Sequence, residues 1–139
     1  MVKGIRMKEF NSYVKNGFVR LTPFPGATTK QLCHYAIPSL VDESPDRVII
    51  HAGCNDVANR NKTPQEIAEE ITNLAELCRS YGVNEIFVSS LICRTNKYLN
   101  EKVMRINFLL NCICKEKGFI FIENKNIELM IYMKMDYIF

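Results

Sequence analysis

The sequence predicts an α/β sandwich built on a parallel sheet. Three observations predict it. Two short apolar runs, at 47–52 (RVIIHA) and 85–92 (EIFVSSLI), have the near-continuous hydrophobicity of strands buried on both faces. Between and after them lie long segments with apolar residues at helical spacing, and strand and helix signals alternate along the chain. Parallel neighbours need crossover connections, which helices of about ten to twenty residues supply.

Beyond Gly17, Phe18 to Phe24 (FVRLTPF) alternates apolar and polar residues and reads as a short, edge-like strand ending at Pro25-Gly26. Thr28 or Thr29 then caps a helix through about Ile37. Leu32, Cys33, Tyr35 and Ala36 give it an imperfect apolar face, and Pro38 is expected to stop it. The strand Arg47 to Ala52 is bounded by Pro45-Asp46 and Gly53. Thr63-Pro64-Gln65-Glu66 combines an N-cap, a proline at the first helical position and a glutamate three residues after the cap, which is a capping box. In the helix that it opens, Ile67, Ile71, Leu74, Cys78 and Tyr81 form one stripe ending at Gly82. Glu85 to Ile92 is the second buried strand. Asn100 is placed to cap a third long helix whose Val103, Ile106, Leu110 and Ile113 face the core, closed by Gly118 before the strand Phe119 to Ile122.

The 139 residues, 47% apolar and 24% charged, make one globular domain and exclude disorder as the main state. The net charge of +3 comes without a run of five like charges, which argues against a polybasic membrane patch or an electrostatic footprint for nucleic acid. No apolar run approaches the length of a transmembrane span, and the opening MVKGIRMKEF interleaves charges where a signal peptide needs an apolar core, so the chain is expected to be intracellular and cytoplasmic. Six cysteines, at 33, 54, 78, 93, 112 and 114, form no C-x-x-C pair and read as free thiols of a reducing compartment. Cys112 and Cys114 point to different faces of a helix, so no shared metal ion is expected, and no cofactor is implied.

In a parallel sheet, chemistry gathers at the carboxyl ends of the strands, which directs attention to the loops Pro25 to Thr28, Gly53 to Lys62 and Leu91 to Lys97. His51-Ala52-Gly53-Cys54-Asn55-Asp56 leaves a buried strand through a glycine and presents the Asn55 amide, a donor suited to a developing oxyanion. Phe24-Pro25-Gly26-Ala27-Thr28 offers a backbone donor, the Gly26 N–H, at the same edge. Read from the residues alone, a Gly-x-Asn-Asp turn after a strand is more often a plain turn and helix cap.

At these residues the sequence resembles the SGNH or GDSL hydrolase family, and the match covers nearly the whole chain. Gly53, Asn55 and Asp56 fit its Gly-x-Asn-Asp block, and Gly26 fits the block that contributes a glycine. KGIRMKEF, FPGATTKQL and VIIHAGCND look like the short esterase-like domains of invertebrate genomes and transposable-element proteins. The resemblance implies a three-layer, flavodoxin-like sandwich and an ester hydrolase, with Gly26 and Asn55 as catalytic oxyanion donors, Gly53 and Asp56 lining the substrate site, and an ester-type small molecule or lipid as substrate. It also implies a serine nucleophile in a Gly-Asp-Ser block and a base in a C-terminal Asp-x-x-His block. The serine would precede Met1, and Asp136 is followed three residues later by Phe139.

Codons for Tyr132 to Phe139, read two bases later, permit Tyr-Glu-Asp-Gly-Leu-His followed by an apolar residue, which fits a frameshift near Ile127 to Leu129. Residues 1–127 are therefore expected to be a partial domain of this family and 128–139 an aberrant tail. With the first strand missing from the order 2-1-3-4-5, two unpaired edges are expected inside the sheet. The expectation is an ester hydrolase by descent that is inactive as it stands. The alternative is a non-catalytic binding or accessory module of a transposon-encoded protein.

Other polar residues have plainer readings. His51 is expected to be a packed core side chain, and Ser89 and Ser90 to lie in a buried strand without a base nearby. Cys33 and His34, adjacent on a helix, diverge and make no dyad. Cys54 is expected to be a bland small residue, and Lys3, Arg6, Lys8 and Lys15 a solvated face.

Overall fold

Local signals account for most of the elements, and long-range packing moves several of their ends. The computed structural model describes residues 20–92, 96–123 and 137–138. Along the chain these form β1 (Arg20–Leu21), α1 (Thr29–Glu43), β2 (Arg47–Ile50), α2 (Pro64–Ser80), β3 (Glu85–Ser89), α3 (Lys97–Lys117), β4 (Ile120–Ile122) and β5 (Tyr137–Ile138). The strands lie side by side in the order β1-β5-β2-β3-β4, each parallel to its neighbours. β2, β3 and β4 make a three-stranded parallel run that ends at the β4 edge, a layout compatible with a flavodoxin-like fold. Register runs Arg47 opposite Glu85 to Ile50 opposite Val88, then Phe87 opposite Ile120 to Ser89 opposite Ile122.

α2 lies between α1 and α3. One apolar core joins the three helices to alternate residues of the sheet: Leu32, Ala36 and Leu40 from α1, Ile67, Ile71 and Leu74 from α2, and Val103, Ile106 and Leu110 from α3 meet Val48, Ile50, Ile86 and Val88. All three described helices thus cover one face of the sheet. Ile49 and Phe87, whose positions alternate to the other face, are also buried. Among the described residues helices cover the first of these faces alone, and Phe18 and Val19 of the expected first strand lie outside the described residues.

Several boundaries differ from the sequence reading. The expected strand to Phe24 is a strand only at Arg20–Leu21; Pro23 and Pro25 lack the N–H that a paired strand needs. α1 does not stop at Pro38 but runs through it to Glu43. An interior proline costs roughly 3 kcal/mol. The extra turn carries Leu40 into the core beside Ala36 and Leu32, and that burial offsets much of the cost, at about 1.5–3 kcal/mol for a leucine side chain. The turn ends at Ser44, left-handed at φ 44, followed by Pro45.

α3 begins at Lys97, capped by Asn96 and not by Asn100. The Asn96 side chain accepts the Leu99 N–H at 3.1 Å, and Leu99 packs against the core. β3 ends at Ser89 instead of Ile92, because its partner β4 ends at Ile122. Beyond it the Asn107 amide of α3 holds Leu91 from both sides, accepting its N–H at 2.7 Å and donating to its carbonyl at 3.1 Å. Tyr81, expected on the apolar stripe of α2, is its C-cap and exposed.

The expected gap beside β2 is not open. Tyr137–Ile138, from the segment read as an aberrant tail, lies in it as β5, pairing with Arg20 and Leu21 on one side and Val48 and Ile49 on the other. Backbone donors and acceptors inside a sheet must be satisfied, and two residues of extended chain do so there.

Candidate functional site

The loops after β1 and β2 leave the same carboxyl edge of the sheet, and three features shape them. Phe24-Pro25-Gly26-Ala27 is a type II turn, closed by the Ala27 N–H on the Phe24 carbonyl at 3.1 Å, with Gly26 at φ 78 in the position that requires a glycine. Thr28 then caps α1 with a capping box: its hydroxyl accepts the Gln31 N–H, and its own N–H donates to the Gln31 side chain at 2.9 Å. After β2, Gly53 turns the chain at φ 100, where a Cβ would stand 2.9 Å from Ile71 Cδ1. Successive turns follow, with Asp56 N–H on Gly53 O, Asn59 N–H on Asp56 O and Lys62 N–H on Asn59 O. Lys102 of α3, itself buried, pins this loop by donating to the Asn59 carbonyl at 2.8 Å.

The two loops meet through the Gly-x-Asn-Asp residues. Asn55 Nδ2 donates to the Ala27 carbonyl at 2.9 Å, which brings the Asn55 amide beside the Gly26 turn. Gly26 and Asn55 are both exposed at this edge. Among the described residues no acceptor takes the Gly26 N–H or the second amide hydrogen of Asn55. Gly26 and Asn55 thus lie in neighbouring loops joined by this bond.

Gly53 and Asp56, expected to line a substrate, are both buried. Gly53 is buried against Ile71 and Leu91. Asp56 is buried, and its carboxylate turns inward: Oδ2 accepts both the Thr29 N–H at 3.0 Å and the Thr29 hydroxyl at 2.9 Å, while Oδ1 accepts Lys62 Nζ at 2.7 Å. Lys62 also reaches Glu70 of α2 at 2.9 Å. Hydrogen bonds to Asp56 and then to Glu70 push the Lys62 ammonium pKa up. Asp56 therefore ties the first turn of α1 to the loop after β2, a positioning role for the Asn55 side chain beside it. Thr29, Lys62 and Glu70 were not singled out in the sequence. The one signal available was the general requirement that a buried carboxylate find donors, and threonine at a helix start and a lysine six residues on supply them.

The structure also pairs residues that the sequence reading kept apart. His51, the residue after β2, has its Nδ1 3.1 Å from Ser89 Oγ at the end of β3, so Ser89 does have an imidazole beside it. The Ser89 hydroxyl also reaches the Ser90 carbonyl at 3.0 Å, and which partner donates in the His51–Ser89 contact is set by the imidazole tautomer. Both groups are buried, and burial lowers the His51 pKa to about 4, leaving the ring neutral. The thiols of Cys78 and Cys114 are buried and pushed up to about 12 and about 11 by desolvation, which keeps them protonated. Among the described residues no group of histidine, cysteine and carboxylate side chains is arranged to hold a metal ion, and no helix is long and apolar enough to cross a membrane.

Fold and site together define an α/β protein with a parallel sheet and two glycine turns joined at its carboxyl edge. No family model, curated protein or solved structure matches the chain.

Proposed function

We propose that this chain is an SGNH-type ester hydrolase domain by descent, flavodoxin-like in its full layering, with Gly26 N–H and the Asn55 amide as its oxyanion donors. In this reading it is inactive towards esters as it stands. The observation that carries the reading is the hydrogen bond from Asn55 Nδ2 to the Ala27 carbonyl, which joins the Asn55 loop to the turn that contains Gly26 at the carboxyl edge of a parallel sheet. A carbonyl oxygen seated between such donors gains charge on attack, and donors fixed in advance stabilise it without reorganisation. The inward Asp56 supports the reading by fixing the loop that aims Asn55. Inactivity follows from the remaining chemistry. The Thr29 hydroxyl that donates to the Asp56 carboxylate is buried and fixed by that bond, and the His51–Ser89 pair is buried as well.

The test is restoration. A strand ending in Gly-Asp-Ser is placed before Met1, and residues 128–139 are replaced by the frame that encodes Asp-Gly-Leu-His, which also vacates the position of β5. The restored chain should hydrolyse short p-nitrophenyl esters. In it, Asn55→Ala should cost about 10²- to 10³-fold in kcat, the scale for losing one oxyanion donor. A restored protein that folds yet stays inert, or whose rate ignores Asn55→Ala, refutes the assignment.

A further inference from the structure

α3 is apolar on two sides. Val103, Ile106, Leu110 and Cys114 belong to the core. On the opposite side Met104 and Phe108 are 60% and 68% exposed, and Cys112, one turn further on, is exposed as well. At about 3.6 residues per turn, Glu101, Met104, Phe108, Cys112 and Lys115 fall within about 80° of arc, so they form one stripe along the helix. The solvated side of α2 is built differently: its exposed positions, Gln65, Glu66, Glu69, Asn73, Arg79 and Ser80, are all polar. α2 lies between α1 and α3, so α3 ends the described helical layer.

We propose that this stripe is the interface of a homodimer, in which α3 packs antiparallel against α3 of a second copy about a two-fold axis at Phe108. The occupant is read from the symmetry of the stripe. In an antiparallel pair each residue before the axis meets the one equally far beyond it on the other copy. Phe108 then meets Phe108, Met104 meets Cys112, and Glu101, seven residues before the axis, meets Lys115, seven residues after it. The dimer therefore carries two Glu101–Lys115 pairs, each about 10.5 Å from its centre along the helix. Both charges are available for this, since among the described residues neither Glu101 nor Lys115 makes an ion pair. A parallel pair would set Glu101 against Glu101 and Lys115 against Lys115, with the helix dipoles aligned instead of opposed. A foreign partner needs no two-fold match within one stripe; a contact between identical surfaces requires it. One helix face buries less than about 1,200 Å² in total, the range of weak and reversible interfaces, so the copies exchange and Cys112 stays reachable in the free chain. The inference stands on α3 and is independent of the ester-hydrolase reading.

Sedimentation velocity of the full-length chain between about 1 and 200 μM should show a monomer–dimer equilibrium with a micromolar Kd. Phe108→Glu places two carboxylates at the axis and should weaken the dimer at least about 100-fold. Glu101→Lys and Lys115→Glu each turn both attractive pairs into repulsive ones and should weaken it about tenfold, whereas the double variant, with the charges exchanged, should restore it. Met104→Cys tests direction. On mild oxidation a disulfide between position 104 and Cys112 of the other copy should trap the dimer, read by peptide mapping, while two Cys112 thiols lie about 12 Å apart along the axis and should not join. A chain that stays monomeric throughout, a Phe108→Glu variant that dimerises as the parent does, a double variant no better than the single ones, or a Cys112–Cys112 disulfide overturns the inference. If Phe108→Glu alters the circular dichroism spectrum, the charge exchange decides in its place.

Discussion

Replacing Asp56 by alanine removes the group that joins the first turn of α1 to the loop after β2. Thr29 is fully buried, so its N–H and hydroxyl lose their acceptor with no water to replace it. A buried donor left unpaired costs roughly 1–3 kcal/mol. The Lys62 ammonium keeps Glu70 and partial exposure, and its lost partner adds at most about 1 kcal/mol. The sum over the two donors and the ion pair is about 2–7 kcal/mol, a large share of the roughly 5–15 kcal/mol available to a domain of this kind. For a chain of this length that lowers Tm by about 7–24 °C. Asp56→Asn keeps an oxygen for Thr29 and turns an amide towards Lys62, so it should cost about half as much. Urea unfolding followed by circular dichroism, with the slope checked for constancy, measures both. An alanine variant within about 1 kcal/mol of the parent would show that the inward carboxylate does not hold these loops together.

The pH dependence of stability isolates His51. Its folded pKa of about 4 lies below the ordinary 6.5, so the unfolded chain takes up the proton first; its contribution is complete above about pH 6.5 and is lost as pH falls towards 4, amounting to about 3 kcal/mol. His51→Gln should flatten the denaturation profile over that window, and an unchanged slope would contradict the neutral, buried imidazole. Gly53→Ala should cost at least about 2 kcal/mol, from a left-handed φ together with a Cβ 2.9 Å from Ile71 Cδ1, whereas Gly26→Ala meets open space and should cost only about 1 kcal/mol for its φ; chemical denaturation of the two variants should show that order. Iodoacetamide at pH 8 with mass-spectrometric readout should label the exposed Cys112 early in the native protein, and Cys78 and Cys114 only on unfolding.

What was legible in the sequence was what near neighbours decide. Thr63, Pro64 and Glu66 open α2 through contacts within one turn, so the capping box is found where it was read. The stripe Ile67, Ile71, Leu74 and Cys78 is buried, because helical spacing alone puts those residues on one face. The same logic makes Gly26 and Gly53 turn residues and puts a strand at Arg47, which ends at Ile50 and not at Ala52, and the parallel sheet follows from the alternation of such segments. Tertiary structure decided the rest. Asn96 and Asn100 have equal capping chemistry, and only the packing of Leu99 against the core chooses between them. Pro38 is a local stop signal, and the burial of Leu40 overrides it. The union of the Gly26 and Asn55 loops, the inward turn of Asp56 on Thr29 and Lys62, and the pairing of His51 with Ser89 join residues from different elements, so no local pattern announces them. The place of β5 is the extreme case: two residues near the end of the chain lie between its first two described strands. Their local preference is only for extended structure. Which edge they meet is decided by the unpaired backbone of β1 and β2, a demand that exists only once those strands are side by side.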